Sequence, residues 1–136
     1  MRRLLPLFAI ALLAGCGGEK TVSPTAKEVV GTVPTTTQAA IPEGNAEAGA
    51  PLFKSQGCTG CHTFKPAGSN ANVGPDLDKL ADYAQKANQG SLEQFTFDSI
   101  KNPGSYVESG YNNVMPNFGS LSDKQIADLT AYLTKG

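Results

Sequence analysis

The chain has 136 residues, of which 40% are hydrophobic, and this is enough for one ordinary globular domain. Its charged fraction of 17% and formal net charge of -1 provide no clustered basic surface, which excludes nucleic acid as an expected partner. The chain has no tryptophan, one histidine (His62) and two methionines (Met1 and Met115). Few side chains are therefore available as soft or nitrogen ligands for a metal.

The N-terminus has the pattern of an export signal. Met1-Arg2-Arg3 is positively charged, and residues 4–14 are mostly apolar but only about half as long as a membrane-spanning helix requires. The sequence Leu13-Ala14-Gly15-Cys16 resembles a bacterial lipobox, which predicts a signal peptide over residues 1–15 and a lipid on Cys16. An ordinary cleavage site with Cys16 as a free thiol is the alternative, and it leaves an odd number of cysteines. If Cys16 carries a lipid, we expect the protein to be lastingly attached to the cell membrane and to face the periplasm or extracytoplasmic space.

A low-complexity stretch follows. Residues 17–42 are rich in Thr, Ala, Pro and Gly, show no helical or strand period and contain no aromatic residue. Such a composition predicts a disordered linker, because it offers little apolar surface to bury. We therefore expect a signal peptide over 1–15, a lipid anchor and linker over 16–42, and one globular domain over 43–136.

The globular domain is predicted to be all-α. Its apolar spacing is mainly helical, and no alternating run is long enough to indicate a sheet. We predict four helices, over residues 45–56, 77–88, 91–101 and 122–136. The third and fourth open with capping-box patterns, Ser91 to Gln94 and Ser122 to Gln125. Pro51 removes a backbone hydrogen bond inside the first, which predicts that this helix starts late or bends.

The chemistry is carried by Cys58-Thr59-Gly60-Cys61-His62. Two thiols one turn apart can form thioether bonds with the two vinyl groups of a haem, and the histidine that follows can bind its iron. The motif predicts one covalently bound haem c held by Cys58, Cys61 and His62. A redox dithiol is an alternative, but it needs a strand and helix around the thiols, and no strand is predicted before Cys58. A structural zinc site needs four ligands, and only three are available unless Cys16 carries no lipid.

The iron of such a haem has a second axial position. His62 is the only histidine, and Met115 is the only methionine that would remain after export. Packing in the core is the alternative for Met115. Ligation is favoured by Pro116 and by the turn-like composition of residues 110–119. Iron ligated by His62 and Met115 has no open site for a substrate, which predicts electron transfer and no enzymatic activity.

Residues 44–136 resemble a class I cytochrome c domain, a small fold of about four helices around one haem. In that family a glycine and an aromatic on the first helix cross a hydrophobic residue and an aromatic on the last. The matching residues here are Gly49, Phe53, Leu129 and Tyr132. The resemblance also implies that the Pro75 carbonyl accepts a hydrogen bond from His62. Six further residues are expected to line or cover the haem: Leu80, Phe95, Ile100, Tyr106, Tyr111 and Phe118.

The resemblance implies a monohaem electron carrier of a respiratory chain, expected to be a monomer. Its donor would be a quinol-oxidising complex and its acceptor a terminal oxidase. From residue 43 onward the chain has seven lysines and ten acidic residues, so its partners are not expected to need a strongly acidic docking patch. Two alternatives stay open: a fixed haem subunit of a larger oxidase or dehydrogenase complex, and an envelope thiol-disulfide oxidoreductase that uses Cys58 and Cys61.

Overall fold

A computed structural model describes residues 40–135. The predicted signal peptide, Cys16 and nearly all of the predicted linker lie outside the described residues. The described part contains four α-helices, α1 (Ala46–Ser55), α2 (Leu80–Ala87), α3 (Leu92–Lys101) and α4 (Asp123–Lys135). The predicted helical fold is therefore confirmed. Within this part, no helix combines the length and the apolar character that crossing a membrane would demand.

Shorter elements connect α1 to α2. Two strands of two residues each, β1 (Thr63–Phe64) and β2 (Ser69–Asn70), pair antiparallel. A 3-10 turn at Lys65–Ala67 joins the two strands, and two others, at Cys58–Gly60 and Leu77–Lys79, lie before and after them. The hairpin was not predicted, because strands of two residues are too short to show an alternating pattern. The last 3-10 turn leads directly into α2, so together they span nearly the whole helix predicted over 77–88.

The capping residues act as the sequence predicts. At the start of α4, the Ser122 hydroxyl accepts a hydrogen bond from the Gln125 N–H (3.3 Å), and the Ser122 N–H donates to the Gln125 side-chain oxygen (3.0 Å). This is a complete capping box. At the start of α3, the Ser91 hydroxyl accepts from the Gln94 N–H (3.2 Å), but the Gln94 amide donates to Asp98 instead of returning to Ser91. Both helices therefore begin where they were predicted to begin.

Pro51 lies inside α1 without delaying its start. The Asn45 side chain accepts hydrogen bonds from the N–H groups of Glu47 and Ala48 (2.8 and 3.3 Å), which fixes the beginning of the helix. The N–H that Pro51 lacks would have bonded the Glu47 carbonyl, one turn earlier. Glu47 is exposed, so water can bind that carbonyl. The predicted late start is therefore wrong, and the alternative, a bend at Pro51, stays a prediction.

Helices α1 and α4 cross in close contact. Gly49 faces the backbone of α4, where a Cβ atom on Gly49 would overlap the Asp128 carbonyl and lie 2.7 Å from the Cβ of Tyr132. The rings of Phe53 and Tyr132 meet edge to face, with centroids 5.8 Å apart. The Asp128 carboxylate accepts a hydrogen bond from the Asn45 N–H (2.6 Å) and so joins the start of α1 to α4. The crossing inferred from the family resemblance is present.

The main core lies beside this crossing. Phe64 of the hairpin packs against both Phe53 and Tyr132, with centroids 5.5 and 5.4 Å apart. Leu129 of α4 is 2% exposed and Phe53 is 1% exposed, so these two side chains are fully enclosed. A smaller apolar cluster of Leu80, Ala84 and Phe95 joins α2 to α3. The two clusters form the walls of the site described next.

Candidate haem site

One cavity brings the predicted site residues together. Its wall includes Cys58, Cys61, His62, Pro75 and Met115, which come from positions up to 57 residues apart in the chain. The six further residues predicted to surround the haem also belong to this wall: Leu80, Phe95, Ile100, Tyr106, Tyr111 and Phe118. Phe53 and Leu129 reach it from the α1–α4 crossing. The cavity is therefore bounded mainly by apolar and aromatic side chains.

A tight turn after α1 presents the two thiols. Gly57 lies two residues after the end of α1 and has φ +76°, a left-handed conformation that favours glycine. The Cys58 carbonyl then accepts hydrogen bonds from the N–H groups of Cys61 (3.2 Å) and His62 (3.0 Å). These bonds close one turn between the cysteines, and both half-buried thiols border the cavity.

The His62 ring is held in one orientation. Its Nδ1 lies 2.8 Å from the Pro75 carbonyl oxygen, which can only accept a hydrogen bond, so Nδ1 is the protonated nitrogen. The lone pair is then on Nε2, the arrangement that a metal-binding imidazole needs. Gly74 packs against the ring, since a Cβ atom there would lie 2.5 Å from His62 Cε1. The Gly74 N–H donates to the Cys61 carbonyl (2.7 Å), which fixes Gly74 beside the thiol turn.

The surroundings of Cys58 do not favour a redox dithiol. Burial raises the pKa of the Cys58 thiol, a backbone hydrogen bond partly opposes this, and the neighbouring Cys61 adds to the increase. A raised pKa reduces the thiolate fraction at neutral pH, whereas dithiol enzymes depend on a lowered one. In addition, Cys58 follows α1 and not a strand.

The zinc alternative has no support within residues 40–135. No group of three or more His, Cys, Asp or Glu side chains in this part of the chain is arranged to hold a metal ion. Cys58, Cys61 and His62 face a wide apolar cavity and do not converge on one point with further ligands.

Met115 lies in the connection between α3 and α4. It is half-buried in the cavity wall, and it also packs against the main hydrophobic core. Pro116 follows it and is exposed. This position is compatible with both interpretations of Met115, as an iron ligand and as a core residue. Ligation by Met115 therefore stays a prediction.

The residues present fit a haem. The wall provides two thiols, an imidazole with its Nε2 lone pair free, a thioether and a largely apolar surround, which are the groups that hold and enclose haem c. The wall also contains the Ser99 hydroxyl, which is buried and has no hydrogen-bond partner in the described part of the chain. An unpaired buried hydroxyl is costly, and a polar group bound in the cavity could pair with it.

Sequence reasoning missed one buried acid in the cavity wall. Glu108 is 7% exposed, and its carboxylate accepts hydrogen bonds from the Lys86 ammonium (2.8 Å) and the Tyr106 hydroxyl (2.6 Å). These bonds, from Lys86 first and then Tyr106, lower the pKa of Glu108. One signal could have identified it, because Glu108 is the only charged residue between positions 103 and 121.

Comparison with known proteins agrees with this fold. The family model described as "Cytochrome c" matches residues 46–136. The cytochrome c of Theileria parva is 35% identical over 105 residues, covering 68% of this chain and 87% of the relative. The cytochrome c of Gossypium barbadense is 32% identical over 105 residues, with coverages of 68% and 90%. That of Tetrahymena pyriformis is 34% identical over 102 residues, also with 68% and 90%.

The fold and the cavity define a small helical protein that encloses a covalently attached haem. The chain belongs to the cytochrome c family. Members of this family carry electrons on haem c, and this chain is accordingly a haem-based electron carrier.

Proposed function

We propose that this chain is a membrane-tethered monohaem cytochrome that carries single electrons between respiratory-chain complexes. In this proposal Cys58 and Cys61 form the thioethers, and His62 and Met115 are the axial ligands. The observation that carries it is the convergence of these four residues on one apolar cavity, with His62 Nδ1 held by the Pro75 carbonyl. When bound, the haem supplies reversible one-electron iron chemistry.

The protein's own contribution is to fix the ligands and to exclude water. The bond from His62 to Pro75 makes the imidazole a stronger donor and prevents its ring from rotating. The thioether of Met115 is a soft, neutral ligand, which favours ferrous iron and a high reduction potential. With His62 and Met115 both bound to the iron, no site would remain for a substrate, and the haem would supply outer-sphere electron transfer.

We propose that redox partners approach an edge of the cavity that carries little net charge. Three cavity-lining valines are largely exposed: Val73 (54%), Val107 (41%) and Val114 (62%). Within residues 40–135, Glu108 is the only Asp, Glu, Lys or Arg in the cavity wall, and it is paired with Lys86. A neutral apolar edge favours contact with a partner surface that is also weakly charged, such as that of a quinol-oxidising complex or a terminal oxidase.

The proposed membrane tether is supported by the lipobox-like sequence ending at Cys16 and by the composition of residues 17–42, which suits a flexible linker. A lipid on Cys16 would keep the domain close to membrane-bound donors and acceptors, on the extracytoplasmic side.

Replacing the proposed sixth ligand tests the ligation. In the haem-loaded protein, Met115→Ala should abolish the weak near-infrared band that arises from sulfur bound to ferric iron, and it should lower the reduction potential. Val114→Ala, one position earlier and 62% exposed in the native protein, is the matched control and should change neither. A Met115→Ala spectrum identical to that of the native protein would show that Met115 is not the ligand.

Two simpler experiments separate the alternative functions. Haem-dependent peroxidase staining of a denatured gel should reveal a stained band, which Cys58→Ser with Cys61→Ser should lose; a thiol-disulfide oxidoreductase would stay unstained. Extraction in mild detergent should release the protein without stoichiometric partners. Recovery in a fixed complex would instead indicate a haem subunit of a larger assembly.

A further inference from the structure

Glu108 is a buried charge that has no part in the proposed attachment and ligation of the haem. The described residues contain four buried polar or charged side chains: Thr96, Glu108, Asp128 and Thr130. The hydroxyls of the two threonines donate to carbonyls of their own helices, and Asp128 joins α1 to α4. Glu108 borders the haem cavity, as Thr96 does, but it differs from the other three because it lies on a loop.

The loop in question is the Met115 segment, residues 103–121, which contains no α-helix or strand. Its backbone hydrogen bonds are local, such as Tyr111 N–H to the Glu108 carbonyl (3.1 Å) and Val114 N–H to the Asn112 carbonyl (2.9 Å). Within residues 40–135, the bond from Lys86 to Glu108 is the only hydrogen bond that joins this segment to an α-helix. It crosses 22 positions in sequence.

Both carboxylate oxygens of Glu108 are used. Oε1 accepts from Lys86 on α2 (2.8 Å), and Oε2 accepts from Tyr106 in the segment itself (2.6 Å). The Tyr106 ring in turn packs edge to face on Phe95 of α3, with centroids 5.1 Å apart. The Glu108 bridge, defined as Lys86, Tyr106 and Glu108, therefore connects the segment to two helices on the same side of the cavity.

We infer that Glu108 is a positioning residue that keeps the Met115 segment closed over the cavity and so keeps Met115 in place. This inference rests on the proposed ligation by Met115. A loop with few bonds to the helices opens locally at a lower free energy than the whole domain unfolds. Only the carboxylate of this pair is buried, since the Lys86 side chain is 63% exposed and that of Glu108 is 7% exposed. Removing the charge-assisted hydrogen bonds to Glu108 therefore costs free energy in the closed form of the segment, where the carboxylate is buried.

The test compares opening of the segment with unfolding of the domain, in the haem-loaded protein. The variants are Glu108→Gln, Lys86→Met and Tyr106→Phe, of which the last keeps the ring on Phe95 and removes only the hydroxyl. Lys65→Met is the control, since Lys65 pairs with Asp78 (3.7 Å), and neither residue lies in the segment or next to its ends.

Imidazole added to the ferric protein is the probe, because it can bind iron only when the sulfur ligand leaves. Its apparent affinity scales with the open fraction, so Glu108→Gln should raise the association constant by about ten-fold or more. Hydrogen exchange at the Tyr111 amide should accelerate together with it. In Glu108→Gln, the urea midpoint of global unfolding, measured by circular dichroism, should shift less than the urea midpoint at which the near-infrared band is lost. Lys65→Met should leave both the imidazole affinity and the exchange rate unchanged.

The outcomes separate the two proposals. If the native protein lacks the near-infrared band, ligation by Met115 is wrong, and amide exchange still decides whether Glu108 holds the segment. If the band is present but imidazole affinity and exchange in Glu108→Gln match the native protein, the inference about Glu108 is overturned. The inference would also be overturned if the urea midpoints of band loss and of global unfolding shifted equally. Glu108 would then stabilise the whole domain without positioning the loop.

Discussion

Gly74→Ala is predicted to displace the His62 ring, because Gly74 packs against that ring. In Gly74→Ala the new Cβ would lie 2.5 Å from His62 Cε1 and 2.8 Å from Nδ1. Non-bonded carbon atoms prefer about 3.5–4.0 Å, so the ring must retreat by roughly 1 Å. Retreat by that amount stretches the 2.8 Å bond from His62 Nδ1 to the Pro75 carbonyl beyond hydrogen-bonding distance. Overpacking of this kind typically costs about 1–3 kcal/mol of stability.

The assay measures both consequences in the haem-loaded protein. Urea unfolding should show lower stability by about that amount, and the reduction potential should rise, because an imidazole without its acceptor is a weaker donor to ferric iron. Gly60→Ala is the control, since a Cβ there meets no atom within 4 Å. Gly74→Ala with both the stability and the potential of the native protein would refute the reasoning about the Gly74 contact.

Three further predictions concern other parts of the chain. Gly49→Ala should destabilise the domain by roughly 1–3 kcal/mol in urea unfolding, because the new Cβ collides with the Asp128 carbonyl; native stability would contradict the close α1–α4 crossing. Burial acts to raise the pKa of Asp128, but hydrogen bonds from Lys124 and the Asn45 N–H outweigh it and lower the pKa. The stability from this lowered pKa is present above about pH 4 and is lost as pH falls further, so Asp128→Asn should flatten the acid limb of a stability–pH curve, and an unchanged limb would argue against it. Cys16→Ala should release the exported protein into the soluble fraction, and continued tight membrane attachment would count against the lipid.

The helices could be predicted because their sequence signals are local. Most of the cavity wall could be predicted because few residues of the chain can bind a haem iron. The serine caps act within three residues, and the two thiols and the histidine are adjacent in sequence. Scarcity of His and Met then limited the possible ligands. The hairpin of β1 and β2 could not be predicted, because its pairing depends on the turn that joins two very short strands. The expected late start of α1 was wrong for a different reason: the Asn45 cap outweighs the one hydrogen bond lost at Pro51.

The Glu108 bridge could not be predicted from the sequence. From the sequence, Lys86 is expected to be a solvated lysine on a helix, and Tyr106 is expected to be an aromatic residue of the core. Nothing in the spacing of 22 positions indicates that the ammonium meets the carboxylate, since that contact exists only after α2 and the Met115 segment pack on the same side of the cavity. A lone acid in a long, otherwise uncharged loop is nevertheless unusual, because burying it demands a partner. Such an acid is therefore a reason to search the neighbouring helices for its cation.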